Sequence, residues 1–261
     1  MRRMASSSLA TFLTFLTFLT FFTDLTYRTS PHALAFFEIM DELRDQLEKG
    51  ETTESELEGL LDDLSQFAGA PLFRDIPSNA WFNRYVGAVA KWAIVSGYKD
   101  AQGNTTGTYG PADPVTVAEI LKMALKAAKV DETKCKAKPR HPAANDHWAK
   151  LFVACGEARG LRLLGLRPDL NRPALRGEVL TIIHDAFQMK VPPLLSTFKD
   201  TIGHPNEADI AYAAARGVVS GDTDTSGKPL RTFRPNDKVN RAEAAKIIYE
   251  HLKSIVLMTG Q

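Results

Sequence analysis

Apolar positions recur at helical spacing three times along the chain, each time just after a similar five-residue opening. "VTVAE" (Val115–Glu119) leads into Leu121, Ala124 and Ala128. "ALRGE" (Ala174–Glu178) leads into Leu180, Ile183 and Phe187, and "VNRAE" (Val239–Glu243) into Ala245, Ile248 and Leu252. Residues three and four apart share one helix face, so each run predicts an amphipathic helix. Asn240 with Glu243 reads as a capping box, and Glu119 and Glu178 stand at the same offset. These acids are read as caps, not as general acids. A Pro-containing loop precedes each opening ("YGPADP", "LRPDLNRP", "FRPNDK"), and a further helical stretch precedes each loop. Those stretches begin near Trp81 and end before Gly97, run from near Trp148 to near Gly160, and cover "ADIAYAAARGVVSG".

A period of about sixty residues signals units that share one core. The expected fold class is all-α, mostly helical, with helix–loop–helix units over 71–133, 134–195 (degenerate) and 196–261. Over 36–70 the apolar residues Phe37, Met40, Leu43 and Leu47, then Leu57, Leu60, Leu61 and Leu64, predict two shorter helices. Gly50 separates them, and "AGAP" (Ala68–Pro71) is a hinge.

Charge changes the picture. The chain totals +1, yet 36–70 holds eleven acids and two bases, while 71–261 holds 27 bases and 19 acids. A basic body suits an anionic partner. The acidic helix pair suits self-association or recruitment of a partner. Residues 1–35 resemble an export signal: Arg2 and Arg3, an apolar run from Leu9 to Phe22, then Ala33-Leu34-Ala35 as a cleavage site. The run is too short and Thr-rich for a comfortable membrane span; an uncleaved anchor is the alternative. In an exported protein the only two cysteines, Cys135 and Cys155, invite a disulfide.

Further motifs fall in the same order in each unit. The first has Phe73, Asp75, Trp81, "GYKD" (Gly97–Asp100), Tyr109 with Pro111, and Thr116-Val117-Ala118-Glu119. The second keeps Asp146, Trp148 and Leu175-Arg176-Gly177-Glu178. The third has Phe198, Asp200, Gly221, Phe233, Pro235 and "NRAE", without the Trp. This order resembles the S-layer homology family. The resemblance implies three repeats in a pseudo-threefold bundle, with one helix from each building the centre. It also implies a non-catalytic protein, exported to the cell surface or envelope, that binds a cell-wall polysaccharide, either a pyruvylated secondary wall polymer or a peptidoglycan-linked glycan. Ligand would sit in grooves between repeats, with Arg176 and Arg241 as principal contacts. Asp75, Asp200, Gly97, Tyr98 and Gly221 join them as motif positions. Val117 leaves the first unit without that arginine.

Arg241 is odd on physical grounds. It opens a helix, where the dipole disfavours a cation, and capping needs only Asn240 and Glu243. Either it waits for an anionic ligand that also uses the free helix amides, or it closes a salt bridge. On the ligand reading, its removal leaves stability nearly unchanged. Trp81 and Trp148 are read as core packing rather than sugar platforms. "DTDTSG" (Asp222–Gly227) matches half of an EF-hand loop, but Phe233 stands where the closing Glu belongs, so it is read as an Asx turn. The six histidines show no metal spacing, and there is no Gly-rich phosphate loop or G-x-S-x-G. No catalytic residue, cofactor, metal or nucleic-acid partner is expected.

Overall fold

The computed structural model describes residues 73–258, and Lys49 among the earlier ones. The export signal expected at 1–35 lies outside the described residues, as does the acidic helix pair at 36–70 apart from Lys49, and with it the self-association assigned to that pair. The described residues are helical and hold no strand, as the periodicity predicts. The helices are α1 (Asn83–Lys91), α2 (Val117–Ala127), α3 (Lys150–Ala158), α4 (Arg162–Gly165), α5 (Arg176–Ala186), α6 (Glu207–Ala215) and α7 (Arg241–Met258). Two 3-10 turns, Glu132–Lys134 and Pro142–Ala144, lie between α2 and α3.

The third upstream stretch is shorter than its apolar pattern suggests. Gly217 takes φ 71° just past α6, and its amide turns back to Ala214 O, which ends the helix. The helix starts are as predicted. Thr116 Oγ1 accepts from Glu119 N at 3.2 Å while Glu119 Oε2 accepts from Thr116 N at 2.8 Å. Asn240 and Glu243 exchange the same pair of bonds at 2.8 and 3.1 Å. Glu178 caps by its carboxylate alone, through Leu175 N at 3.1 Å, because Leu175 has no side-chain acceptor.

The three openings meet in a closed ring of backbone hydrogen bonds. Val115 N donates to Val239 O at 2.9 Å, Val239 N to Ala174 O at 3.2 Å, and Ala174 N to Val115 O at 2.9 Å. All three residues are fully buried, so water cannot satisfy these groups and the ring must. The next amides extend the exchange. Val117 N and Ala118 N donate to Arg172 O and Leu170 O, Arg176 N and Gly177 N to Asp237 O and Pro235 O, and Arg241 N and Ala242 N to Asp113 O and Pro111 O. Thus the first amides of α2, α5 and α7, which have no partner within their own helix, bond to the loop before another helix. This is why a Pro-containing loop stands before every opening: its carbonyls cap a neighbour.

Helix packing is interleaved in the same way. α2 packs on α3, α5 on α6, and α7 on α1, while α2 also touches α5 and α7. Ile120, Leu121, Leu125, Leu180, Ile183 and Ile248 fill one contiguous core among them. Cys135 and Cys155 are bridged, with Cα atoms 5.2 Å apart, tying the linker after α2 to α3. The degenerate second segment carries this staple.

Between α5, α6 and α7 lies a polar cluster. Asp209 accepts from Thr181 Oγ1 at 2.9 Å and Arg162 Nη2 at 3.0 Å, and pairs with His184 Nδ1 at 2.8 Å. Burial alone would raise the Asp209 carboxyl, but the bonds from His184 and Arg162 outweigh it and hold it below its ordinary value. His251, on α7, lies against His184, Tyr212's neighbour, and against Phe187. Both of its ring nitrogens are buried without a hydrogen-bond partner. Burial, with the charges of His184 and Arg216 added, pushes His251 down from 6.5 to about 3. The unfolded chain therefore takes this proton first. The contribution is fully present above pH 6.5 and is lost as pH falls toward 3, to a total of roughly 4 kcal/mol. Thermal unfolding followed from pH 7 to pH 4 should show a steep fall in Tm for the parent chain and a visibly shallower one for His251→Leu. Parallel slopes would show that His251 carries no proton linkage.

Candidate functional site

The site grows from the helix entrance that looked anomalous in sequence. Arg241 is only 7% exposed, and its side chain crosses from α7 to the first segment. Nε donates to Tyr109 O at 2.8 Å, Nη1 to Glu119 Oε1 at 2.6 Å and Nη2 to Ser96 O at 3.2 Å. The guanidinium lies 4.6 Å from the Tyr109 ring centroid and 4.9 Å from that of Tyr98. Glu119 divides its work: Oε2 caps α2 and Oε1 receives the arginine. The unfavourable dipole at Arg241 is offset by a carboxylate, two carbonyls and two aromatic faces. The amides expected to be free for ligand are occupied, since Arg241 N, Ala242 N and Glu243 N bond to Asp113 O, Pro111 O and Asn240 Oδ1. The dipole argument for an anion at those amides therefore fails, and the arginine is also a structural bolt.

Above Arg241 opens a cavity of about 440 Å³. Gly97, Tyr98, Lys99, Glu119, Lys122 and Trp148 line it together with Arg241. Three cations face one carboxylate, and Arg241 already holds that carboxylate. Burial, then the positive charges of Arg241, Lys126 and Lys99, hold Lys122 below the ordinary lysine value. Tyr98 donates to Asp113 Oδ2 at 2.7 Å, and burial followed by that bond pushes its phenol up to about 12. Gly97 allows the wall to close: a Cβ there would stand 2.5 Å from Thr108 O and 2.6 Å from the Phe73 ring.

The structure places the sequence-selected residues unevenly. Gly97, Tyr98 and Arg241 share this cavity. Asp75 and Asp200 do not line it, because their carboxylates are taken up as turn staples. Asp75 accepts from Tyr109 N and Gly110 N, and Asp200 from Phe233 N and Arg234 N, all within 2.7–3.1 Å. The tryptophans reverse their expected role. Trp81 is 57% and Trp148 56% exposed, because each stands two residues before its helix and packs by an edge on the helix residue below, Tyr85 or Phe152. In the "DTDTSG" turn, Asp224 accepts from Ser226 and Lys228 amides, and Phe233 at the closing position is fully buried.

A related set surrounds Arg176. Its Nε donates to Phe233 O at 3.0 Å, its guanidinium lies 4.7 Å from the Phe233 ring, and Glu243 is 3.8 Å away. Lys246 lies 5.8 Å over the Trp81 ring. Gly221 is packed as Gly97 is, against Phe198 and Thr232 O. Lys122 and Lys246 were overlooked in the sequence, although both stand three residues after a capping Glu. In the second segment that offset gives Thr181, and α6 is preceded by Pro205 where α1 and α3 have Trp. The third arrangement thus has neither the lysine nor the tryptophan, and its capping Glu178 is held not by a helix-opening arginine but by Arg172, at 2.6 and 2.8 Å.

Residues 197–245 match the S-layer homology domain model. Over 188 residues the chain is 28% identical to exoglucanase XynX of Acetivibrio thermocellus, covering 68% of this chain and 16% of that protein. It is 25% identical to S-layer protein EA1 of Bacillus anthracis over 188 residues, and 28% identical to an S-layer protein of Bacillus licheniformis over 190. Each match covers 69% of this chain and 20% of the relative. The chain thus spans a fifth or less of the length of these relatives.

Arg241→Ala should lower stability by roughly 2–4 kcal/mol, since it strands Glu119 Oε1 and two carbonyls in a half-buried site. Arg176→Ala, with one carbonyl bond and a looser acidic neighbour, should cost less. Urea unfolding of the two variants measures the order. Equal or reversed losses would contradict the bolt assigned to Arg241.

Proposed function

We propose that this chain, a member of the S-layer homology family through residues 197–245, is a non-catalytic anchor that docks on an acidic polysaccharide of the cell wall. Family membership and relatives named as S-layer proteins support attachment to the cell envelope. No helix among the described residues is long and apolar enough to cross a membrane, so the reading places the contact with the envelope in surface grooves. The observation that carries the acidic specificity is Lys122, which lines the cavity beside Lys99 and Arg241 and whose charged form is disfavoured first by burial and then by those cationic neighbours. A carboxylate in the cavity would offset that repulsion and the cost of burial by its opposite charge, and Trp148 offers an open ring face for a sugar.

On this reading the segments 71–133, 134–195 and 196–261 are three repeats about a pseudo-threefold axis, and the backbone ring supports that arrangement. Two ligand sites are competent, one around Arg241, Lys122 and Trp148, the other around Arg176, Lys246 and Trp81. The third has Val117, Thr181 and Pro205 in place of the helix-opening arginine, the lysine and the tryptophan, and keeps only Arg172 on its capping Glu178. Tyr98, Gly97 and Gly221 shape the walls, while Asp75 and Asp200 act on ligand only by holding the loops. The chain is exported in this account, with its leader at 1–35.

Lys122→Gln and Trp148→Ala each alter an exposed or half-exposed side chain. Each should weaken sedimentation with purified cell wall by about tenfold, with Tm within a few degrees of the parent. The double variant Lys122→Gln/Lys246→Gln should bind least. Parent-like binding by the double variant would defeat the assignment of the grooves.

A further inference from the structure

The two grooves are alike at the floor and different at the lip. At the floor each has an arginine beside a capping glutamate, with a lysine three residues on: Arg241, Glu119 and Lys122 in one, Arg176, Glu243 and Lys246 in the other.

The lips are built on the same backbone. Tyr98 N donates to Thr108 O and Asp222 N to Thr232 O, both at 2.8 Å. Lys99 bridges to Thr105 as Thr223 does to Pro229. Gly110 N donates to Asp75 Oδ2 and Arg234 N to Asp200 Oδ2, both at 2.7 Å, and both residues hold a left-handed φ, 71° and 59°. Tyr98, Lys99 and Gly110 of one groove therefore stand where Asp222, Thr223 and Arg234 stand in the other.

Each lip is consistent within itself. A Cβ on Gly110 would lie 2.6 Å from the Tyr98 ring, so the tyrosine excludes a side chain there. The short Asp222 leaves room for the Arg234 side chain, which bonds back to it. Nε donates to the two Asp222 oxygens at 3.1 and 3.0 Å, and Nη2 to Oδ1 at 2.9 Å. A left-handed backbone costs arginine energy that glycine does not lose, and this ion pair offsets it. Arg234 Nη1 also donates to Asp237 Oδ2 at 2.9 Å. Asp237 takes the place of Asp113, since their carbonyls accept from Arg176 N and Arg241 N.

The charge at the lips differs accordingly. Lys99 balances Asp113 in the Arg241 groove. In the Arg176 groove Asp222 and Asp237 outnumber Arg234, and Thr223 adds no charge. Both carboxylates act on the floor: burial, with the charge of Arg234 added, holds Arg176 below its ordinary value, and the charges of Glu243, Asp222 and Asp237 oppose this. A second negative charge on a ligand, next to the one taken at the floor, meets Lys99 in one groove and two carboxylates in the other. Sugar hydroxyls donate and accept, as the Asp222–Arg234–Asp237 chain does.

We propose that the grooves read different neighbours of the acidic sugar unit. The Arg241 groove takes a second acidic sugar at its lip, and the Arg176 groove an uncharged, hydroxylated one, with Asp222 and Thr223 setting the choice where the other groove has Tyr98 and Lys99. This rests on the reading that both grooves hold an acidic sugar at the floor. Trp148 and Trp81 report on the grooves separately, since each stands exposed in its own groove, and Trp92, the third tryptophan, is packed on the core and serves as reference. The full chain is titrated at low salt with digalacturonate, in which both sugars are acidic, and with the hyaluronan disaccharide, which joins glucuronate to uncharged N-acetylglucosamine. The indole N–H resonances are followed by NMR. Trp148 should saturate at a concentration of digalacturonate lower by about threefold or more than that of the mixed disaccharide, and Trp81 in the reverse order. Asp222→Tyr/Thr223→Lys/Arg234→Gly, which copies the other lip, should bring Trp81 to the order of Trp148. The same order at both tryptophans of the parent, or equal affinity for the two sugars, overturns the inference and leaves the acidic reading of the grooves standing. Absence of a saturable shift at Trp81 or Trp148 overturns it together with the acidic reading of that groove. A folded triple variant in which Trp81 keeps the parent's order overturns the role of Asp222 and Thr223; should the variant not fold, the parent titration decides.

Discussion

Three buried backbone hydrogen bonds, running Val115 to Val239 to Ala174 and back to Val115, are the constraint on which the rest of the structure depends. None of these residues can bond within its own segment, because each stands just before a helix with its amide and carbonyl buried. The ring makes the three helix entrances mutually dependent. It also sets the positions from which Arg172, Leu170, Pro235, Asp237, Pro111 and Asp113 present carbonyls to the amides of a neighbouring helix. A break at any one junction leaves a buried amide and a buried carbonyl without a partner, so each segment is stabilised by its neighbours.

The same geometry explains how a helix-opening arginine becomes a groove floor. With its own amide already bonded to the neighbouring loop, Arg241 points its side chain at that loop's Tyr109 carbonyl and at the capping Glu119. Cation and cap neutralise each other, and Lys122 and Lys99 remain as the net charge of the cavity. On the proposed function, stability and ligand chemistry are therefore coupled at Arg241 and separable at Lys122.

Much of this was legible in the sequence, for identifiable reasons. Helical periodicity, the Asn240–Glu243 and Thr116–Glu119 boxes and the Cys135–Cys155 pair are local or stoichiometric signals, and the structure bears them out. The repeated openings marked the helices that meet at the ring. The partners of Arg241 were not legible, because Tyr109 and Glu119 lie more than a hundred residues away in sequence and nothing local says that the side chain crosses segments. Trp81 and Trp148 misled because bulk apolarity predicts burial, while their place ahead of the helix leaves one face open. Asp75 and Asp200 misled in the opposite sense: a recurrent carboxylate invites a binding role, and both are spent on backbone amides. Lys122 and Lys246 carried a signal at a fixed offset from a capping Glu that was passed over.

The central claim is that a preorganised cationic groove recognises acidic groups on a wall polymer. It is tested most directly by the affinity of the full chain for purified cell wall, measured before and after chemical removal of the wall's acidic substituents. The account predicts saturable binding to intact wall that weakens as salt is raised and falls by at least tenfold on the stripped wall. Equal affinity for the two walls would contradict it.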